Sequence, residues 1–232
     1  MNHSAIASWS GGKDGCLACF RALRQGHRIE FLLNFISRES GRCCFHGVEA
    51  EVLRLQAELM GIPLAQHQVT ADMQEYEKEF KAAVSALKRK GPGAMVFGDI
   101  YLDEHREWVE RVCRDLDITP VLPLWNDSPA GILEEFISLG FRAVVVSCQA
   151  DKFGGDFVGR YVDRDLLRDL ESANICPCGE NGEFHTLVVA GPLFRGRIEI
   201  LESEAVLKEG FWKYWFLDIK KYRGVWHEGV AK

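Results

Sequence analysis

Ser10-Gly11-Gly12-Lys13-Asp14-Gly15 follows an apolar run, Ala5 to Trp9, and opens a stretch in which Leu17, Phe20 and Leu23 recur at helical spacing. A short β-rich run, a glycine pair and then a helix is the order in which an α/β sheet presents an anion site at the carboxyl end of a strand. Two glycines let the backbone approach a bulky anion. The helix behind them aims its free N–H groups and positive dipole end at that anion, and Lys13 adds a point charge. The spacing is neither GxxxxGK[ST] nor GxGxxG, so transfer of a terminal phosphate or of hydride is not what these residues suggest. The plainer alternative is a Gly-Gly turn in which Lys13 and Asp14 are solvated first-turn residues; the position after the first strand favours ligand binding.

The same alternation continues along the chain. Further β-rich runs lie at Phe31 to Ile36, Leu64 to Val69, Ala94 to Phe97, Pro120 to Leu122 and Ala143 to Ser147, separated by helical periods, the pattern of an α/β domain with a parallel sheet. Val48, Val52, Leu55 and Leu59 form one apolar stripe that stops at Gly61-Ile62-Pro63. Met73, Tyr76, Phe80, Val84 and Leu87 form the next, ending in Lys88-Arg89-Lys90, cations that suit a helix C-terminus better than a nucleic-acid patch. After about residue 123 the character changes. A helical stripe through Ile132, Leu133, Phe136 and Ile137 gives way to Gly154-Gly155, the turn-rich Cys176 to Gly182, and strand-like segments around Ile198, Ile200 and Glu202. Phe211, Trp212, Tyr214, Trp215 and Phe216 also read as antiparallel β. Residues 1–123 are therefore expected to form an α/β domain and residues 124–232 a smaller α+β domain. The aromatic tail from Phe211 to Trp226 suits either a core or a self-association surface, a homodimer in the second case.

Composition narrows the class. The 232 residues are 47% hydrophobic and 27% charged, ordinary for a soluble globular protein, and the net charge of −6 argues against indiscriminate nucleic-acid binding. The first residues lack the charged start and long apolar run of a signal peptide, and no apolar run approaches the ~18 residues that span a bilayer. A reduced, cytoplasmic protein with no membrane partner is the expectation. Of the eight cysteines, Cys16 and Cys19 form a CxxC, Cys43 and Cys44 are adjacent, and Cys176 and Cys178 form a CxC. Structural zinc usually needs two well-separated knuckles, and an i, i+3 pair beside Phe20 and Leu23 reads as core.

Ser10 to Asp14 resemble the SGGKD pyrophosphate loop of the N-type ATP pyrophosphatases, which split ATP into AMP and pyrophosphate while activating a substrate oxygen as an adenylate. Phe45-His46-Gly47, Gly98-Asp99 followed by His105-Arg106, and Cys178 to Thr186 extend the likeness. Together they resemble the diphthine ammonia ligase family and its adenine-nucleotide alpha-hydrolase-like relatives over nearly the whole chain. The resemblance implies a HUP-type ATP-binding domain, a parallel sheet flanked by helices, with a smaller α+β carboxyl-terminal domain. It also implies diphthamide biosynthesis, with ATP and Mg²⁺, a carboxylate acceptor, and ammonia or an amine as partners. Two departures mark a divergent branch: Gly15 stands where SGGKDS has serine, and GENGEFHT, with Asn181 and His185, stands where diphthine ligases resemble GEGGEFET.

The residues then take roles. Ser10, Gly11, Gly12 and Lys13 hold the departing phosphates, and Asp14 either caps the helix or holds Mg²⁺. Asn34, Phe35 and Ile36 end the second strand, where an adenine would lie against main-chain groups. Asp99, also at a strand end, binds Mg²⁺ or orients substrate. Arg106, Glu110 and Cys113 share a helix face; Arg106 either meets a phosphate or carboxylate or makes a surface pair with Glu110. Glu180 and Glu183 suit an ammonium ion, which a glutamate could hold or deprotonate; Asn181 joins Glu180 as a substrate contact, and His185 is a base. The plain alternative there is a glycine-rich turn with exposed carboxylates. His46 is a helix N-terminal residue or, by resemblance, a nucleotide or substrate contact. Lys13, Asp99, Glu183 and His185 form the expected catalytic set of an AMP-forming amide ligase. RNA thiolation and a non-catalytic adenine-nucleotide sensor are the competing functions.

Overall fold

A computed structural model describes residues 4–44, 46–70, 72–209 and 213–229. Its elements run β1 (Ser4–Ser8), α1 (Lys13–Arg24), β2 (Arg28–Ser37), α2 (Ala50–Met60), β3 (Leu64–Val69), α3 (Met73–Lys88), β4 (Ala94–Val96), α4 (Asp103–Asp115), β5 (Thr119–Val121), α5 (Pro129–Ser138), β6 (Arg142–Gln149), α6 (Arg164–Ser172), β7 (Phe184–Ala190), β8 (Gly196–Glu209) and β9 (Lys213–Trp226). They gather into two compact units. The first holds residues up to Ser10, Asp14–Cys44 and Ile62–Asp127; the second holds Gly11–Lys13, Phe45–Gly61 and Ser128–Lys232.

The first unit is a five-stranded sheet of order β3-β2-β1-β4-β5, with every pair parallel. Central β1 reads Ser-Ala-Ile-Ala-Ser and is buried over nearly its whole length, as a parallel strand covered on both faces must be. On one side Phe80, Val84 and Leu87 of α3 and Val109, Val112 and Cys113 of α4 pack with Ile6, Leu33, Phe35 and Met95. Phe35 stacks on Phe80 at 5.3 Å between ring centres, and Phe80 meets Trp108 edge-on at 5.0 Å. Cys113 thus belongs to the core. So do Cys16 and Cys19 on α1, and burial pushes the Cys19 thiol up to about 12. The side chain of Met73 lies outside the described residues.

The second unit is built on an antiparallel sheet of order β7-β6-β9-β8. The run Ala143 to Ser147, which reads as one more parallel strand, is a correction: as β6 it pairs antiparallel with β7 and β9. Its six central residues are all buried, and a strand covered on both faces gives a continuous apolar run whichever way its neighbours point. Helix α2 buries Val52, Leu53, Gln56, Ala57, Leu59 and Met60 in this unit. Helices α5 and α6 begin at side-chain caps: the Ser128 hydroxyl accepts from the Gly131 N–H at 3.1 Å and the Asp163 carboxylate from the Leu166 N–H at 2.8 Å. Within β9, Leu217 and Ile219 are buried and Tyr214, Trp215 and Phe216 half-buried, while Phe211 and Trp212 lie outside the described residues. Among the described residues no helix is long and apolar enough to cross a membrane.

Candidate functional site

The glycine turn owes its shape to its neighbours in the second unit. Gly11 has φ +81°, and a β-carbon there would stand 2.5 Å from Leu53 Cδ2 and 2.9 Å from Gln56 Oε1. Its carbonyl accepts from the Val188 N–H at 2.9 Å and from Gln56 Nε2 at 3.1 Å. The same Gln56 amide donates to the Val188 carbonyl at 2.7 Å, so a fully buried glutamine ties the turn to β7. Glycine is required here both for its positive φ and for the close approach.

Lys13 follows, only 2% exposed. Its main-chain N–H donates to the Thr186 hydroxyl at 3.1 Å, and its Nζ donates to the Cys178 carbonyl at 2.5 Å while lying 5.1 Å from the centre of the Phe184 ring. His46 and His185 bring their rings to 4.6 Å, tilted by 42°. Desolvation, then the neighbouring His46, then the Lys13 charge hold the His185 imidazole well below its ordinary range, so it is neutral near pH 7. The glycine of the Phe45-His46-Gly47 motif is also explained, although Phe45 itself lies outside the described residues. Gly47 has φ +70°, and a β-carbon would meet the Phe216 ring at 2.4 Å.

The segment Gly179 to Thr186 is more fastened than its composition suggests. Glu183 is 4% exposed; its Oε2 accepts from the Asn181 N–H at 3.0 Å and its Oε1 from Asn181 Nδ2 at 3.1 Å, with Lys152 Nζ 3.9 Å away. The Gln149 N–H donates to the Glu183 carbonyl at 2.9 Å, and the Tyr214 hydroxyl donates to the Gly182 carbonyl at 3.1 Å. Both oxygens of Glu183 thus close the turn, Glu180 is half-buried, and Asn181 is exposed. The expected exposure holds for neither carboxylate in full.

In the first unit, Asn34 is fully buried and braces the end of β1. Its Nδ2 donates to the Trp9 carbonyl at 2.9 Å and to Cys43 Sγ at 3.3 Å, and its Oδ1 accepts from Gln66 Nε2 at 3.3 Å. The Asn34 side chain is a strut, and Phe35 is core. The Cys43 thiol lies 3.7 Å from the Ser10 carbonyl; burial, against the Asn34 hydrogen bond, pushes it up to about 12, so it stays protonated. Gly98 explains its own motif: a β-carbon there would lie 2.7 Å from the Gly15 nitrogen and 2.9 Å from the Asp14 carbonyl carbon. The exit of β4 therefore touches the first turn of α1. Asp99 comes next, its Oδ1 3.2 Å from Nδ1 of the exposed His105. Asp14 and Asp99 offer carboxylate oxygens, the donors a hard dication prefers, and this donor set fits Mg²⁺. Arg106 pairs with Glu110 at 2.6 Å and lies 5.2 Å from the Trp125 ring centre, an exposed arrangement of small energetic worth.

The structure thus brings Gly11, Lys13, His46 and His185 together, with Thr186, Cys178, Phe184 and Gln56 as partners that the sequence reading did not assign. Thr186 and Cys178 sit inside a quoted motif, so position could have flagged them. Gln56 is a polar residue on the buried face of α2, a signal available in the stripe itself. His105, beside Asp99, likewise lies within a quoted motif.

The family model described as diphthamide synthase N-terminal domain matches residues 3–120, and the one described as diphthamide synthase C-terminal domain matches residues 128–225. The diphthine–ammonia ligase of Rattus norvegicus is 27% identical over 222 residues, covering 85% of this chain and 83% of that protein. That of Danio rerio is 27% identical over 227 residues, covering 85% and 86%. That of Schizosaccharomyces pombe is 28% identical over 218 residues, covering 85% of this chain and 36% of its own length. A solved structure titled as a predicted subunit of tRNA methyltransferase from Methanocaldococcus jannaschii aligns at TM-score 0.44 with 13% identity, over 81% of this chain and 97% of that one.

Proposed function

This chain belongs to the diphthamide synthase family, and from that membership we propose that it is an ATP-dependent, AMP-forming ligase that joins ammonia or an amine to a carboxylate, diphthine being the nearest named acceptor. The observation that carries the reading is the setting of Lys13. A cation at the first turn of α1, behind a glycine whose would-be β-carbon position is crowded by neighbours, supports a grip on pyrophosphate.

Turning a carboxylate into an amide requires its oxygen to be made a leaving group. ATP is the substrate that supplies this, through attack on its α-phosphorus with loss of pyrophosphate. The protein's share is mostly electrostatic positioning. Ser10, Gly11, Gly12 and Lys13 would hold the departing phosphates. Asp14 and Asp99 would hold Mg²⁺, which when bound draws charge from phosphate oxygens. The neutral imidazole of His185 would accept one proton from ammonium. The freed ammonia attacks the activated carbonyl carbon; a C–N bond forms, the C–O bond to AMP breaks, AMP leaves with the electron pair, and the nitrogen gives its second proton to water. Glu183 acts in this scheme by holding the turn rather than by proton transfer, since both its oxygens are engaged. Eight cysteines that stand outside any disulfide suit a reducing compartment, the cytoplasm.

Purified protein given ATP, Mg²⁺ and an elongation factor bearing diphthine should release AMP and pyrophosphate, and Lys13→Ala should abolish the release. ADP and phosphate as products would reject the mechanism. Tight nucleotide binding without pyrophosphate exchange would favour the sensor instead.

A further inference from the structure

An amide ligase fed by ammonia must recognise a small cation, and the carboxylate best placed in the sequence for that task is committed elsewhere. Glu183 spends its two oxygens on the main-chain and side-chain N–H groups of Asn181. A different part of the second unit already holds an ammonium group, namely the one on Lys13. Its Nζ lies 2.5 Å from the Cys178 carbonyl oxygen and 5.1 Å from the Phe184 ring centre, and Lys13, Cys178 and Phe184 are exposed by only 2%, 2% and 1%. A carbonyl oxygen and an aromatic face, both removed from water, are a recognised way to bind a compact cation.

We propose that the place between the Cys178 carbonyl and the Phe184 ring, filled here by the Lys13 ammonium, is the subsite for the ammonium co-substrate. The proposal rests on the amide-ligase reading above. When Lys13 turns to the departing phosphates, it leaves a carbonyl oxygen and a ring face spaced for one nitrogen cation. Free ammonium carries the same charge and nearly the same size. Binding is therefore ordered: nucleotide first, because it draws Lys13 away, and ammonium second. His185 follows Phe184 in the chain and feels the Lys13 charge, so a cation in this place lies within the electrostatic reach of a neutral imidazole that can take its proton.

The test uses the full chain and measures AMP release against ammonium chloride at saturating ATP, Mg²⁺ and diphthine-bearing elongation factor. ATP–pyrophosphate exchange without ammonium reports the earlier step. Phe184→Leu removes the ring face, and the KM for ammonium should rise about tenfold more than the KM for ATP or any fall in exchange. Equal changes in all three would overturn the subsite. Because Phe184 also packs on Phe153 and Phe157, the wild-type protein provides a second measurement. Potassium, close to ammonium in size, should inhibit competitively against ammonium and not against ATP. Inhibition that ammonium cannot relieve, or none at all, would also overturn it. Exchange that persists while either test fails removes the subsite alone, whereas absence of AMP release and exchange removes the ligase reading with it.

Discussion

Replacing Lys13 by methionine separates chemistry from folding. The ammonium is nearly sealed from water, and several kcal/mol of desolvation weigh against it. Opposing that are a charge-assisted hydrogen bond to the Cys178 carbonyl, worth about 1.5–3 kcal/mol, and the Phe184 ring, worth about 2 kcal/mol when desolvated. Methionine is of similar length, and its sulfur gains about 0.3–1.5 kcal/mol beside an aromatic ring. These contributions nearly cancel. Lys13→Met should therefore melt within about 4 °C of the wild type, since about 1 kcal/mol moves a chain of this size by roughly 2–4 °C. Catalysis has no such compensation: loss of one donor aimed at developing charge costs about a hundredfold or more. Thermal denaturation followed by circular dichroism, with ATP–pyrophosphate exchange on the same preparations, reads both quantities. A midpoint lowered by more than about 10 °C would make Lys13 a structural staple. Exchange within tenfold of wild type would show that it does not hold the leaving phosphates.

Gly11→Ala forces a side chain into positive φ and against Leu53 and Gln56; strain of about 1–2 kcal/mol and overpacking of about 1–3 kcal/mol predict a loss of about 2–5 kcal/mol in urea titrations. A loss under about 1 kcal/mol would mean that the turn yields freely. Gly15→Ser is the opposite case, because a β-carbon there meets only the Ser8 carbonyl oxygen at 3.5 Å. The variant should gain up to about 1 kcal/mol of stability from leaving glycine in a helix and should lower the KM for ATP severalfold through the added hydroxyl; an unchanged or raised KM would argue that no phosphate lies there. His185 predicts a pH dependence. Its folded pKa lies below the unfolded value near 6.5, so the unfolded chain binds the proton first on acidification. The stabilisation is complete above about pH 6.5 and is lost as pH falls toward the folded value, at up to about 1.4 kcal/mol per pH unit. Denaturant titrations at pH 7.5, 6.5 and 5.5 should show His185→Gln losing less than wild type; parallel losses would place the titrating group elsewhere.

Why the strands were legible and the site only partly so has a physical basis. A buried parallel strand leaves an apolar run, and five of the runs read from the sequence became β1 to β5 in one parallel sheet. The sixth had the same apolar signature and went to the antiparallel sheet, because burial on both faces erases the alternation that would reveal strand direction. At the site, Gly11 and Lys13 were visible because positive φ and charge at a helix start demand particular residue types. The partners were not visible in that way. The Cys178 carbonyl is main chain, which no residue type specifies, and Thr186 and Gln56 act through contacts more than 100 positions away from at least one partner. At Asn34, where main-chain groups are expected beside an adenine, the side chain is taken up in bracing Trp9 and Cys43, a role that a polar residue at a strand end does not announce.

The histidine at position 185 follows an electrostatic logic. Where diphthine ligases resemble GEGGEFET, a glutamate at position 185 would stand near the buried ammonium of Lys13 as an opposite charge, and the pair would hold each other ionised. This chain has histidine there, and burial, His46 and Lys13 together keep it uncharged. A neutral ring does not neutralise Lys13, so the cation stays available to an anion while a main-chain carbonyl and a ring face hold it in the meantime. Withdrawal of the Lys13 charge toward phosphates would lift one of the influences that depress His185, and an ammonium ion arriving in the same place would restore it. The substitution at position 185 therefore changes how the site handles protons while leaving the glycine turn and its lysine intact.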